Sequence, residues 1–551
     1  MIYPKIPLAQ SIVQICLAKG LTNIVICPGS RNAPLTIGFA SNPQFRCYSI
    51  PDERCAAFFA MGISQHSNRP AVVVCTSGSA LLNFYPAIAE AFYSQIPLVV
   101  ISADRPPEMI DIGDGQTIRQ QNVFQNHSLY NANLQPAASD ENEFEINHAI
   151  NKAFTRRGPV HINAPFEEPL YEVTRKLSVD VTISAFAKVY KTISVDDIKA
   201  YTNIWNSATR KLILVGVAEP ETLDEEIVRL LAEDPSVVVM TENTSNLHHP
   251  QFAGNIDRII TPFTPRNFLA FQPEILLTFG GMVVSKRVKA FLRRYRPLHH
   301  WHIDPIRAYD TYGCLTRHFD ATPNDFFQQF LPFTRQVKSS YKRDLQKIIE
   351  SRRRGHDRFF ANAPYSDFKA IGLIVPQLRK NSLLHVGNSA VIRYVQLFDL
   401  DPTIEIWSNR GTSGIDGSTS TAIGAAVGSN KPTTLITGDV AFLYDSNALW
   451  NDSIPQDLKI IVINNRGGGI FRILPGHQNN ELFRRFFETE HSLDASHLAK
   501  MYNLQYLMAN DEQSLNLGMP ALHQCAGPAI LEVFTPQIQN AEVLQAYFDS
   551  L

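Results

Sequence analysis

The chain has 551 residues, enough for three or more domains of ordinary size, with globular proportions of 44% hydrophobic and 19% charged residues. A formal net charge of −2 gives no general electrostatic case for nucleic acid or an anionic membrane as partner. Seven cysteines without a C-x-x-C pair, several of them inside apolar runs, fit a reducing compartment.

The opening MIYPKIPLAQ lacks the basic region and apolar core of a signal peptide, and no stretch approaches the ~18 apolar residues of a spanning helix. A cytoplasmic protein without stable membrane insertion is expected. Strands are predicted at 23–27, 45–50, 71–76, 97–102 and 159–162, with helices at 53–66 and 80–93 between them. Short, doubly apolar strands alternating with helices argue a parallel sheet covered on both faces. A linker begins at 166–179. A second α/β block has strands at 211–217, 236–241, 274–279 and 299–303, and the charged stretch 330–367 reads as the next boundary. The last block repeats the pattern with strands at 382–386, 403–407, 433–437, 459–464 and 529–534. Three α/β units result.

Residues 437–445 read TGDVAFLYD, so the strand at 433–437 breaks at Gly438-Asp439 before a helix-like pattern. Twenty-six residues after Asp439, one crossover later, Asn465 follows the next strand in IIVINNRGGGIF. Ligands of open parallel sheets bind beyond the carboxyl ends of the strands, and both side chains would emerge on that edge. Asp439, the Asn465 amide oxygen and the Gly467 carbonyl supply three hard oxygens for Mg²⁺ or Mn²⁺, with phosphate oxygens and a water completing an octahedron. The N–H groups of Val440 and Ala441 would face the same phosphates. Arg466, between the ligands, should point outward. The literal triplet Gly113-Asp114-Gly115 has no convincing strand ahead of it and no asparagine pair twenty-six residues on, which makes it a decoy.

Arginines recur at the ligand-facing strand ends: Arg31, Arg105, Arg119, Arg393 and Arg410, with Lys286 and Arg287 in the middle block. A planar guanidinium fork suits carboxylates, and so many at one rim suit substrates carrying several. Glu53, in PDERCAAFF, reads on its own as a first-turn glutamate favoured by the helix dipole beside the capping Asp52.

Gly438-Asp439 paired with Asn464-Asn465 resembles the thiamine diphosphate binding signature, in which a glycine is usual where Val440 stands; a position supplying backbone tolerates a side chain at negative φ. PGSRNAPL, DER before FFAMG, TSGSALLNFYPAIAEA, SADRPPE, GNSAVIR, SNRGTSGIDGSTSTAIG and NNRGGGIF together resemble the 2-succinyl-5-enolpyruvyl-6-hydroxy-3-cyclohexene-1-carboxylate synthase family. The likeness covers about 1–170 and 365–550 and rests in the middle on Ser285-Lys286-Arg287. It implies three doubly wound parallel-sheet α/β domains of the thiamine diphosphate-dependent enzyme type: pyrimidine-binding 1–175, central 176–360 and diphosphate-binding 361–551. It further implies thiamine diphosphate bound through Glu53, Asn388, Ser389, Gly414, Ile415, Gly438, Asp439, Val440, Ala441, Asn465 and Ile470. Asp439, Asn465 and Gly467 would hold the metal, Glu53 would activate the cofactor, and Ile415 would bend it.

The implied reaction decarboxylates 2-oxoglutarate and adds the succinyl unit to isochorismate in menaquinone biosynthesis. Ser389, Arg393 and Arg410 would hold the distal carboxylate of 2-oxoglutarate. Arg31, Arg105, Lys286 and Arg287 would bind the carboxylates of isochorismate, with Ser30 and Gln116 nearby; Ile470, Phe471 and Leu474 would form an apolar wall. Catalytic roles fall on Glu53, Arg31, Gln116, Ser389, Arg393 and Arg410. Gly115 departs from the family's usual Asn. The activator and the diphosphate site lie on different domains, so a homodimer or dimer of dimers is expected. Rival readings are an acetohydroxyacid synthase or 2-oxoacid decarboxylase, needing fewer arginines, and a non-catalytic scaffold, needing a degenerate site. Adjacent histidines in HHWH at 299–302 alternate across a strand and cannot jointly chelate. No G-x-G-x-x-G follows a strand, against a dinucleotide reductase.

Overall fold

Runs such as Val72-Val73-Val74 and Ile460-Ile461-Val462 are apolar on both faces, and in the computed structural model each forms part of a fully buried strand inside a parallel sheet. The structure describes residues 1–67, 69–186, 193–474, 476 and 478–551. Three α/β sheets are built in chain order. The first runs Arg46–Ser49, Asn23–Ile26, Ala71–Cys75, Leu98–Asp104, Pro159–Pro165, Asn131–Asn133. The second runs Val237–Thr241, Lys211–Val215, Ile275–Phe279, His299–Ile303, Arg317–Phe319. The third runs Glu405–Trp407, Leu383–Val386, Thr433–Gly438, Leu458–Asn464, Ala529–Phe534, Gln505–Ala509. Every pairing within them is parallel.

Three short edge strands, Asn131–Asn133, Arg317–Phe319 and Gln505–Ala509, lie outside the predicted set because each carries polar or half-exposed residues instead of an apolar run. The helix predicted at 80–93 is two, Ser79–Asn83 and Tyr85–Ser94, with Pro86 removing a backbone donor at the break. The charged boundary at 330–367 contains a 22-residue helix, Tyr341–Asn362. The linker beginning at 166–179 returns Val173–Thr174 to pair antiparallel with Tyr3–Pro4. No helix among the described residues is long and apolar enough to cross a membrane.

The first and third units meet through helices Glu53–Ser67 and Ser418–Ser429. A Cβ on Gly62 would stand 2.2 Å from the Thr421 carbonyl oxygen, and one on Gly424 would stand 2.0 Å from that of Phe59. Glycine at both positions lets the helices touch backbone to backbone. That packing ties the Glu53 strand edge to the unit bearing Asp439.

Candidate active site

In the third sheet Gly438 pairs with Ile463. Asp439 and Asn465 therefore leave adjacent strands at the same edge. Helix Asp439–Tyr444 starts at once, and Val440 is its second residue with no positive φ, so its side chain is accommodated. The Val440 amide is already taken, donating to Asp439 Oδ1 at 2.7 Å. Asp439 Oδ2 accepts from the Gly467 amide at 2.9 Å, which draws the glycine loop onto the carboxylate. Gly467 holds φ +152°, and a Cβ there would meet the Glu488 carbonyl oxygen at 2.7 Å. Arg466 is exposed, as its position between the two candidate ligands required.

Asn465 is 7% exposed and its Nδ2 donates to Asp367 Oδ2 at 2.8 Å. Its Oδ1 is buried with no protein partner. An orphaned amide oxygen beside a carboxylate fits a hard cation carrying phosphate oxygens. Among the described residues no three His, Cys, Asp or Glu side chains form a metal-holding group, so a cation here would rely on the amide oxygen and backbone beside the single carboxylate of Asp439. Two residues unmarked by the sequence complete this corner. Asp367 is fully buried against Asn465 and Thr535, and burial pushes its carboxyl up to about 6. His491 Nε2 stands 3.3 Å from Asp439 Oδ2, an ion-pair distance without hydrogen-bond alignment, and the carboxylate raises the imidazole pKa.

Beside it, Asn388 Nδ2 donates to the Asn409 and Gly414 carbonyls, each at 2.7 Å, and Asn388 Oδ1 accepts from Arg410 Nη1 at 2.6 Å. One asparagine thus fixes both Arg410 and the Gly414-Ile415 turn. Ser389, at φ +73°, immediately precedes helix Ala390–Val395 without a side-chain capping bond, and its carbonyl accepts from Arg393. Burial lowers the pKa of both guanidinium groups, opposed by the charge of Asp257 at Arg393 and of Glu242 and Glu90 at Arg410, and their side-chain hydrogen bonds go to neutral oxygens. Lys286 and Arg287 are exposed at the start of helix Lys286–Arg294, and Arg287 lies 5.2 Å over the Phe548 ring. Ile470 and Phe471 are half-buried on helix Ile470–Ile473, and Leu474 follows it, 39% exposed.

A second group sits over the first sheet. Arg31, 4% exposed, donates to the Phe166 carbonyl at 2.9 Å and to Glu168 Oε1 at 3.1 Å. Arg105 donates to the Gly115 carbonyl at 3.1 Å and lies 3.7 Å from Asp114 and 3.9 Å from Glu168. The decoy triplet therefore forms part of this arginine pocket, and Glu168, unmarked by the sequence, bridges the two guanidinium groups. Ser30 and Gln116 are exposed, Gln116 with φ +55°. Arg119 turns away instead, 84% exposed and paired with Asp111 at 2.7 Å. Glu53 opens its helix half-buried, close enough for its charge to raise the buried thiols of Cys75 and Cys27 beyond the effect of burial. The Thr76 and Ser77 hydroxyls, in the quoted TSGSALLN, are buried there without partners.

These are two separate groups within the chain. No hydrogen bond or ion pair among the described residues joins Ser30, Arg31, Glu53, Arg105 or Gln116 to Lys286, Arg287, Arg393, Arg410, Asp439 or Asn465. The neighbours of Glu53 grip the far end of the Asp439 helix: Arg54 donates to the Tyr444 carbonyl at 2.7 Å, and Asp52 accepts from Asn447 at 2.8 Å.

Three family models match this chain: the N-terminal TPP binding domain of thiamine pyrophosphate enzymes over residues 6–132, their middle domain over 190–356 and their C-terminal TPP binding domain over 386–533. The chain belongs to the thiamine pyrophosphate enzymes. Proteins named 2-succinyl-5-enolpyruvyl-6-hydroxy-3-cyclohexene-1-carboxylate synthase from Flavobacterium johnsoniae and Flavobacterium psychrophilum are each 59% identical to it over the whole of both chains. One of the same name from Bacteroides fragilis is 36% identical over 98% of each. Within the thiamine pyrophosphate enzymes, the chain is a member of this synthase family.

Proposed function

We propose that this protein is a thiamine diphosphate- and Mg²⁺-dependent transferase of menaquinone biosynthesis that decarboxylates 2-oxoglutarate and joins the succinyl unit to isochorismate. The observation that carries the substrate reading is the pair of guanidinium groups, Arg410 buried and Arg393 half-buried, bonded to neutral oxygens beside the Asp439–Asn465 corner. Their positive charge in a desolvated site suits the distal carboxylate of 2-oxoglutarate, with Ser389 alongside. The bound cofactor supplies an electron sink for decarboxylation and the nucleophilic carbon for the new bond. Asp439, Asn465 and the Gly467 carbonyl hold Mg²⁺, or Mn²⁺ in its place, against the diphosphate; the unpartnered Asn465 oxygen supports this. Glu53 holds a proton at the aminopyrimidine ring.

Arg31 and Arg105 orient the carboxylates of isochorismate after releasing Glu168, and Lys286 and Arg287 reach them from the central unit. Ser30 and Gln116 flank this ligand, and Ile470, Phe471 and Leu474 exclude water from the reacting carbon. The separation of the two groups within one chain supports a cytoplasmic homodimer, or dimer of dimers, in which Glu53, Arg31 and Arg105 of one copy meet Asp439, Arg393 and Arg410 of the other. The divisions 1–175, 176–360 and 361–551 belong to the same reading, each range containing one large sheet.

The test is CO₂ release from 2-oxoglutarate that requires thiamine diphosphate and Mg²⁺ and is coupled to loss of isochorismate. Release without coupling would support a simple decarboxylase; no release would support a scaffold.

A further inference from the structure

The strand Val237–Thr241 ends in Glu242-Asn243-Thr244-Ser245-Asn246, a tight turn in which every residue is under 10% exposed. Its polar side chains do not serve the turn alone. The Glu242 carboxylate accepts from two consecutive backbone amides, Val284 at 2.6 Å and Ser285 at 2.7 Å. These two residues immediately precede Lys286 and Arg287, and Ser285 caps their helix by accepting from the Val288 amide. Asn243 Nδ2 donates to the carbonyls of Val395 at 2.9 Å and Phe398 at 3.1 Å, at the end of the helix bearing Arg393. Asn246 exchanges bonds with Ile406, at 2.8 and 3.0 Å, on the strand that leads to Arg410. One buried turn of the central unit therefore touches the three backbone segments that carry Lys286 and Arg287, Arg393, and Arg410.

A fully buried carboxylate is a costly way to cap a helix, since a neutral serine already does so here. What the carboxylate adds is geometry: two acceptor oxygens on successive N–H groups fix the rotation of the segment entering the helix. Asp257, half-buried, accepts a hydrogen bond from the Ser285 hydroxyl. We infer that Glu242 is a positioning residue of this active site, setting Lys286 and Arg287, the isochorismate contacts, against the Arg393 and Arg410 that hold the succinyl unit from 2-oxoglutarate. The inference rests on the reading of Lys286 and Arg287 as isochorismate contacts.

The experiment measures steady-state kinetics of the holoenzyme for Glu242→Gln, Arg287→Ala and the double variant. An amide of the same shape keeps one acceptor and sets a donor against the second backbone N–H. The expected result for Glu242→Gln is a KM for isochorismate raised about tenfold or more, with the KM for 2-oxoglutarate within about twofold. The double variant should be little worse than Arg287→Ala alone, because Glu242 acts through that segment. Equal rises in both Michaelis constants, a fall in kcat alone, or full additivity would overturn the inference and leave Glu242 as a fold residue. If Arg287→Ala leaves the isochorismate KM unchanged, the substrate reading fails and takes the inference with it; a raised value there with an unmoved Glu242→Gln overturns the inference alone. Should Glu242→Gln not fold, Glu242→Asp keeps the charge while shortening its reach, and the same split between the two constants decides.

Discussion

Asn465 gives its amide hydrogen to Asp367 and keeps its buried oxygen free, so a carboxylate 98 residues away in sequence decides which face of the amide looks at Asp439. Without Asp367 nothing distinguishes oxygen from nitrogen at that face. Asp367→Ala should therefore weaken binding of thiamine diphosphate with Mg²⁺ by about 10–100-fold, the usual effect of losing a partner that orients a ligand. Titration calorimetry on the dialysed protein would show it; unchanged affinity would mean that Asn465 is oriented by its own backbone.

Glu53 stands half-buried at the head of its helix and accepts no hydrogen bond among the described residues, while Asp52 and Arg54 carry the local contacts. Its proposed work is thus separable from folding. Glu53→Gln should lower turnover by about 10²–10⁴-fold, the range for a lost proton-transfer group, with little change in Tm. A variant as fast as the parent would remove Glu53 from the chemistry.

Arg393 is tied to Ser389 on the third unit, and Arg31 to Phe166 and Glu168 on the first. Different substrates should answer to them. Arg393→Ala is expected to raise the KM for 2-oxoglutarate by about tenfold or more, the scale of one charged hydrogen bond, and that for isochorismate far less. Arg31→Ala should do the reverse. Initial-rate measurements with each substrate varied would decide, and parallel changes would reassign both arginines.

The strands carrying Asp439 and Asn465 were legible because both of their faces are apolar, and a crossover of fixed length puts their ends on one edge. The arginines at strand ends were legible for the same reason. Asp367 was not: an aspartate one residue after a capping serine is ordinary helix-start chemistry, and its bond to Asn465 exists only after the sheet folds. Glu168 and Glu242 were hidden similarly, since each binds groups far away in sequence. The triplet at 113–115, excluded from the sequence as a diphosphate turn, packs instead against Arg105 through Gly115 and Asp114. Arg119, which its spacing placed at the rim, is exposed and paired with Asp111.

Asp445 joins the first and third units from a fully buried position. It accepts from the Ser420 amide at 2.8 Å and hydroxyl at 2.9 Å, and the Cys55 thiol lies 3.6 Å away. Burial pushes its carboxyl from 3.8 up to about 6. Between those values the folded chain keeps a proton that the unfolded chain has released. The stability this provides is complete below the unfolded value and is lost as pH rises through about 6. Asp445→Asn removes the titration while keeping the size of the side chain. Relative to the parent, the variant should therefore gain stability between about pH 4 and pH 7, by an amount on the order of 3 kcal/mol at most, whatever its absolute penalty. Calorimetric unfolding of both proteins across that range measures the difference directly. A difference that stays flat, or one that falls with pH, would show that the Asp445 carboxyl titrates normally and that the junction between the units stores no proton.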